Sequence, residues 1–567
     1  MTYRSPVGEI RFHLEHVSGY AALARTDRFA EAGAETAAAI LTEAGRLCDD
    51  VLAPVAEAGD RHPATLHEGE LRSPPGFAEA YRRIAAGGWI GLAASPDHGG
   101  TGLPLTLATA VNEMMSGANL ALQLNPLLTQ GQIEALARHA PGGWLRDIAL
   151  PALVEGRWSG TMNLTEPQAG SDLGALATRA EPSGDGTCRI TGTKIFITWG
   201  ECDFVENICH LTLARLPDAP AGTRGISLFL VPKFLPGPDG APGVRNRVRA
   251  TRLEHKLGLH GSPTAEMLFE GATGWLVGPE NGGMAAMFTM MNHARLGVAA
   301  EGVGIAEAAF QLALAHARQR RQNGRAIIGH ADVRRMLAGM EADLFAARAI
   351  LLSCAVAIDM AAATGDPGWE ARAGLLTPIA KAFCTDTGHD AAQTGIQIHG
   401  GMGYIEETGA ARLARDVRVT QIYEGTNGIQ ALDLVGRKLA DGGEAAGRLI
   451  DGIRASAGAA SAALPDLAAP VRQAAENLRA GLGVLLARPV PDRGGAAVPF
   501  LRAFARVLGG EAHLKAAAAD PARAPLAGFY IRRLLPEVAA LLAASGDDPA
   551  TLAALGPPRG GEGAKEG

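Results

Sequence analysis

The sequence predicts a mainly α-helical protein with a β domain set into its middle. Three observations lead to that class. Apolar residues recur at three-to-four spacing through most of the chain before about 155 and again from about 282 onward. Between those stretches lie short runs rich in β-branched and aromatic residues, separated by Gly, Pro and Asp, with no long helical pattern among them. The chain has 567 residues, 47% hydrophobic and 20% charged, an ordinary globular composition with material for three or four cores.

Residues 1–30 mix charge with aromatics and are expected to form an irregular N-terminal arm. A helical domain follows over 31–155, with Ala- and Leu-rich periodic stretches at 33–58 and 106–122 broken at Pro and Gly. The middle domain, 156–280, contains β runs at 187–200, 207–216, 225–234 and 265–278. With no helices between them they predict an antiparallel sandwich or barrel rather than alternating strands and helices. A helical bundle is expected over 281–440. Val303, Ala306, Phe310, Ala313, Leu314 and Ala317 trace one apolar helical face, and long helices follow near 330–363 and 370–396. A Gly-rich turn at 400–403 precedes a further helix after about 427. Residues 441–555 read as an extra helical domain interrupted by Pro and Gly near 489–499, and 556–567 as a disordered tail.

A net charge of −7 and an isoelectric point near 6.1 argue against a general nucleic-acid binder. Six scattered cysteines form no CxxC pair, so reduced thiols rather than a structural zinc site are expected, and no metal is called for. The first residues lack the apolar core of a signal peptide, and no run reaches the ~20 uninterrupted apolar residues of a membrane span. A cytoplasmic protein without a membrane span is the expectation.

Four clusters carry candidate chemistry. Met162 to Asp172 (MNLTEPQAGSD) brings small and hydroxyl residues to the helix-to-β junction, where backbone N–H and Ser/Thr oxygens can meet a polar ligand. In Lys194 to Thr198 (KIFIT), strand alternation places Ile195 and Ile197 on one face and Phe196 and Thr198 on the other. An aromatic beside a hydroxyl suits a flat heteroaromatic ring. Gln397 to Tyr404 (QIHGGMGY) carries three glycines in four positions but is not GxGxxG, which disfavours a Rossmann site. Gln421 to Gln430 (QIYEGTNGIQ) sets an acid between an aromatic and a glycine, just before a helix that Thr426 or Asn427 can cap. A carboxylate in an apolar cleft has its pKa raised and can serve as a base. Taken singly, each cluster has a plain structural reading: a turn, a half-buried strand, a packed histidine, a surface Glu near a helix start.

Together, and in this order, they resemble the acyl-CoA dehydrogenase family over about 35–440. The arm, the 206–234 segment and the C-terminal extension are similar to its long subgroup, which includes 3-methylmercaptopropionyl-CoA dehydrogenases. The resemblance implies an N-terminal helical domain, a middle antiparallel β-barrel or sandwich and a C-terminal four-helix bundle, here with an extra helical domain. It also implies bound FAD, an acyl-CoA substrate, an electron-transfer flavoprotein as acceptor and a homodimer. Glu424 matches the family's catalytic base. Met162, Leu164, Thr165, Phe196 and Thr198 match residues around the flavin ring, and Ser171 one near the flavin pyrophosphate or the CoA arm. Thr426 matches a contact on the flavin's phosphate side. Arg320, Gln397 and Gly401 match contacts to the FAD of the neighbouring subunit. Asn292 and Arg295 match positions along the pantetheine channel, with Tyr423 and Gly425 beside the substrate. Three positions depart from the pattern: Phe196 stands where Trp is usual, Asn323 where many members have Phe, and Gly428 where many have Glu or Gln.

The implied reaction is α,β-desaturation to a trans-2-enoyl-CoA, with 3-methylmercaptopropionyl-CoA or a fatty acyl-CoA as substrate. An acyl-CoA oxidase shares fold and base but delivers electrons to oxygen. A DNA-associated flavoprotein of the alkylation-response type is the alternative from another class. Residues 441–567 hold fourteen Lys and Arg against thirteen Asp and Glu, too balanced for strong phosphate binding unless Arg502, Arg506, Arg523, Arg532 and Arg533 cluster.

Overall fold

In the computed structural model, which describes residues 3–237 and 239–555, the helical and β regions fall where the patterning places them. The tail 556–567 lies outside the described residues. The arm is a correction. Val7–His16 is an α-helix, because Ile10, His13 and Leu14 share one buried face at helical spacing. Its charged residues cover the other side, which is what makes the stretch look irregular in sequence.

The stretch 33–58 becomes Ala34–Leu47 and Ala53–Arg61 joined by a wider turn at Cys48–Leu52. A small hairpin, Thr65–His67 with Glu70–Arg72, interrupts the helices. The longest N-terminal helix, α1 (Leu105–His139), kinks at Asn119, whose backbone leaves the helical region (φ −159°, ψ 84°). The Asn119 Oδ1 accepts from the Leu122 N–H at 3.2 Å, capping the second half as a fresh helix start.

The middle region contains β1 (Trp158–Asn163), β2 (Arg179–Pro182), β3 (Cys188–Thr198), β4 (Asn207–Ala214), β5 (Ser227–Pro232), β6 (Val248–Leu253) and β7 (Thr264–Val277). Their order is β1-β4-β5-β7-β3-β2, with β6 also on β7. Two features depart from a purely antiparallel sandwich. β1 runs parallel to β4, with Met162 opposite Leu211. The sheet also curls back on itself: Ala180 N–H bonds the Arg215 carbonyl (2.8 Å) and Arg215 N–H the Thr178 carbonyl (2.9 Å), tying β2 to the end of β4. This bridge covers part of the β2 edge. The barrel's own core is small, built on Ile190, Ile197, Phe229, Val231 and Phe269.

After β7 come α2 (Gly283–Gln319), α3 (Ala331–Thr364) and α4 (Pro367–His399), then short helices including Ala410–Val417 and α5 (Asn427–Asp433) that pack on α4 as a broken fourth member. Windows of α2 and α3 are long and apolar enough to cross a membrane, but 72% and 83% of those windows is buried against the rest of the protein. Within the extension, α6 (Ala497–Ala519) lies on α3. Arg506 pairs with Asp343 of α3 and with Glu537 (2.7 Å), and His513 Nε2 meets the Ala342 carbonyl at 3.0 Å. Arg523 makes a two-point bond to Glu9 of the arm helix, 2.9 Å each, with its guanidinium 3.6 Å over Phe12. Arm, bundle and extension are thus one packed unit, and Arg506 and Arg523 are committed to it.

Candidate active site

Glu424 sits in the loop between Arg418–Gln421 and α5, and three elements hold that loop. From α2, Arg295 directs Nε at the Glu424 carbonyl (3.4 Å) and Nη1 at Asp433 (3.8 Å) and Asn292 (3.4 Å). From α4, Lys381 Nζ donates to the Gly425 carbonyl and to Asn427 Oδ1, 2.9 Å each. From α5, Gln430 Nε2 donates to the carbonyls of Glu424 (3.0 Å) and Gly425 (3.3 Å). Thr426 caps α5, its hydroxyl accepting from the Ile429 N–H at 3.3 Å. The Tyr423 hydroxyl donates to Glu301 of α2.

Under these restraints Glu424 adopts φ +54°, a left-handed conformation. For a non-glycine residue outside a simple turn this costs about 1–3 kcal/mol, and such strain persists where surrounding contacts over-determine it. Its Oε2 is buried and has no hydrogen-bond partner in the protein. Among the described residues its N–H also donates to no protein acceptor. Burial pushes the carboxyl up to about 7, with Arg295 and Lys381 pulling the other way. The result is a shielded carboxylate near neutrality beside an unused backbone donor, the equipment for removing a proton next to a polarised carbonyl.

The first two sequence clusters meet at one end of the barrel. Ile195 N–H bonds the Thr165 carbonyl (2.9 Å), and Lys194 Nζ bonds the Leu164 carbonyl (2.9 Å). Lys194 is fully buried and pairs with Glu166 at 2.7 Å. Glu166 also accepts from Thr178 Oγ1 (2.6 Å) and the Ala177 N–H (2.7 Å). Burial raises its carboxyl, but the Lys194 charge and these donors outweigh that and hold it at about 2. The pair stiffens the Leu164–Thr165 segment. Strict alternation through Lys194–Thr198 is a second correction. Between the Lys194/Met267 and Ile197/Ala265 pairings the strand carries an extra residue, and Phe196 takes φ +61° in this bulge. Phe196 is thereby 60% exposed, on the stretch that carries half-buried Thr198 and bonds the half-buried Thr165 through Ile195.

Helix α1 joins this mouth to the Glu424 loop. The Ala121 carbonyl accepts from Trp199 Nε1, just after β3, at 3.2 Å. Six residues on, about 9 Å at ~1.5 Å per helical residue, Leu127 lies against Gly297, two positions after Arg295. A Cβ at Gly297 would meet Leu127 Cδ1 at 2.3 Å, so any side chain there would force Leu127 to move.

Other candidates fall elsewhere. Ser171 is exposed on the loop after β1. Arg320, Gln397 and Gly401 gather at the far ends of α2 and α4, where His316 and His399 stack at 4.3 Å. Arg320 is 25 residues from Arg295 along α2, about 37 Å at the helical rise. These residues do not reach the Glu424 site of their own chain. The sequence reading had not assigned Glu301, Lys381, Gln430 or the Glu166–Lys194 pair. Glu301 carried a signal: it is a lone acid within the apolar and glycine run 296–306.

Two family models and several known proteins match the chain. The family model described as acyl-CoA dehydrogenase, C-terminal domain, matches residues 281–439, and acyl-CoA dehydrogenase, middle domain, matches 161–272. A 3-methylmercaptopropionyl-CoA dehydrogenase of Ruegeria pomeroyi is 45% identical over 520 residues, 88% of this chain and 88% of that protein. A butyryl-CoA dehydrogenase of Syntrophomonas wolfei is 36% identical over 418 residues, 69% of this chain and 68% of that one. In fold, the crystal structure of Caenorhabditis elegans ACDH-11 in complex with C11-CoA superposes with a TM-score of 0.81 at 21% identity, over 93% of this chain and 91% of that one.

Proposed function

The chain belongs to the acyl-CoA dehydrogenase family, and on that premise we propose that it desaturates an acyl-CoA thioester to a trans-2-enoyl-CoA, with FAD as oxidant and Glu424 as base. The observation that carries this reading is the half-buried Glu424 side chain, its Oε2 buried and without a protein partner and its carboxyl lifted to about 7, in a strained, triply braced turn.

The barrel mouth suits FAD. An uncovered aromatic on a bulge, two hydroxyl residues and a stiffened backbone segment fit a flat ring with a polar edge. Met162, Leu164, Thr165, Phe196 and Thr198 would hold that ring, with Ser171 and Thr426 toward its phosphates. Bound there, FAD supplies the two-electron acceptor for the hydride leaving the β carbon. The protein's part is acid–base and electrostatic. Glu424 takes the α proton. Its own N–H is placed to bond the thioester oxygen as negative charge grows there, and one such preorganised donor is typically worth ~3–4 kcal/mol. Arg295 and Lys381 keep enough carboxylate present near neutrality.

The sulfur-containing acyl group named for the Ruegeria relative is the proposed substrate, with fatty acyl-CoA as the second choice. We also place an electron-transfer flavoprotein as acceptor, and a second copy of the chain whose FAD would meet Arg320, Gln397 and Gly401. Exposed Met402 and Tyr404, beside Gly401, support such an interface. The DNA-associated alternative is not favoured: of the five arginines that would have to cluster, Arg502, Arg506 and Arg523 pair with Glu537, Asp343 and Glu9, which leaves only Arg532 and Arg533 exposed.

The test is anaerobic bleaching of the bound flavin by a panel of thioesters, including 3-methylmercaptopropionyl-, butyryl- and octanoyl-CoA. Bleaching by at least one is expected, fastest with the sulfur compound. No bleaching by any would overturn the reading, and peroxide formation without added acceptor would make the protein an oxidase. The rate of bleaching should also rise with pH through a single ionisation at about 7. The sign follows from the role: below that pH Glu424 holds a proton and cannot accept one. A rate that stays flat from about pH 5.5 to about pH 8.5 would remove Glu424 from the step.

A further inference from the structure

Beside Glu424 lies a second carboxyl that the proposed reaction does not use. Glu301 is fully buried on α2, midway along the helix. Its Oε2 accepts the Tyr423 hydroxyl, while its Oε1 has no partner. The titratable groups facing it are Tyr423 and Glu424 from the base loop and Lys381 from α4. A lone carboxyl buried in this way is costly, and its only direct hydrogen bond is to the residue preceding Glu424. The other braces of the turn grip backbone carbonyls and Asn427. Tyr423 is the side chain immediately before the base that ties the loop to the interior of α2, while Asn427, three residues after the base, is held by α4.

We infer that Glu301 is a positioning residue for acyl-CoA oxidation: by accepting the Tyr423 hydroxyl it holds the left-handed turn that keeps the Glu424 carboxyl out of water. This rests on the proposed function. Burial lifts Glu301 to about 8, Tyr423 opposes that lift and Glu424 adds to it, so the group stays neutral where Glu424 works. A neutral amide of the same shape would therefore do the same job, whereas an apolar side chain would not.

The consequence is a change in the pH profile as well as in rate. If the anchor is lost, the loop relaxes, water reaches Glu424, and the desolvation that raises its pKa fades. The experiment is stopped-flow anaerobic flavin reduction by a thioester that bleaches the wild type, across pH, for Tyr423→Phe, Glu301→Leu and Glu301→Gln. FAD content and thermal midpoint serve as folding checks. Tyr423→Phe and Glu301→Leu are expected to slow reduction at least about tenfold, the scale of small misplacements of a catalytic group. Their acid limb should move down from near 7 toward the ordinary carboxylate range, with little change in the half-saturating thioester concentration. Glu301→Gln should recover most of the lost rate and leave the limb in place. An unmoved limb in Tyr423→Phe and Glu301→Leu, both retaining FAD, overturns the inference. So does a Glu301→Gln variant as impaired as Glu301→Leu. A wild type that no thioester bleaches instead removes the proposed function itself.

Discussion

Glu424→Gln is expected to leave a yellow, folded flavoprotein whose flavin acyl-CoA reduces about 10³-fold more slowly, within the 10²–10⁴ range of a positioned general base. The substitution keeps the shape of the side chain and changes one property. An amide does not take the α proton. It also disturbs little else, because the contacts that brace the turn go to the Glu424 carbonyl, the Gly425 carbonyl and Asn427, not to the carboxyl. Oε2 has no protein partner to lose. The neutral side chain removes the cost of burying a charge, so stability should hold or rise slightly. Thioester binding should persist, visible as a shift of the flavin spectrum on addition of acyl-CoA. Bleaching within about tenfold of wild type would sink the assignment, because a carboxylate doing general-base work contributes more than that.

The contrast between Glu424 and Glu301 shows what was legible in the sequence. Long helices were, since the apolar, Ala-rich stretches of α2, α3 and α4 each run for more than thirty residues, too long for strands. The four β runs were visible for the same kind of reason. β1, β2 and β6 were not: Trp158–Asn163 is buried on both faces and lacks alternation, Arg179–Pro182 is only four residues long, and Val248–Leu253 is too polar to stand out. The bulge at Phe196 was hidden because an inserted residue leaves no mark on composition. Only pairing with β7 reveals it. At the site, Glu424 was identified through its neighbours in chain order. Glu301 and Lys381 act on residues 122 and 44 positions away, and such pairings have no local pattern. The role of the extension was equally silent, since the Glu9–Arg523 contact joins residues 514 apart.

Away from the site, the largest stability effect is expected at Arg348. This residue is fully buried on α3 between Glu113 of α1 and Glu307 of α2, with bonds of 2.7 and 2.6 Å. Burial pushes the Glu113 carboxyl up, and Arg348 is what opposes it. Glu307 is held from the other side by Gln311, which also bonds the backbone of Arg4 in the arm. Two domains therefore meet on one guanidinium, and the arm joins them through Gln311. Arg348→Met fills similar space but leaves two carboxyls facing each other without a cation. One must take up a proton or draw in water, and breaking a buried charge pair in this way costs about 3–5 kcal/mol. The loss should appear as a lower urea midpoint and a lower thermal midpoint in the apo-protein, where cofactor binding does not mask it. A triple variant, Arg348→Met with Glu113→Leu and Glu307→Met, separates the two possible origins of the loss. If orphaned charge is responsible, removing both acids should restore most of the stability, since a well-packed apolar replacement of a buried ion cluster is often neutral or better. If shape is responsible, the triple variant should be worse than the single one. A single variant within about 1 kcal/mol of wild type would show that the cluster contributes no net stability, which would make Arg348 a residue of register between helices instead of a source of cohesion.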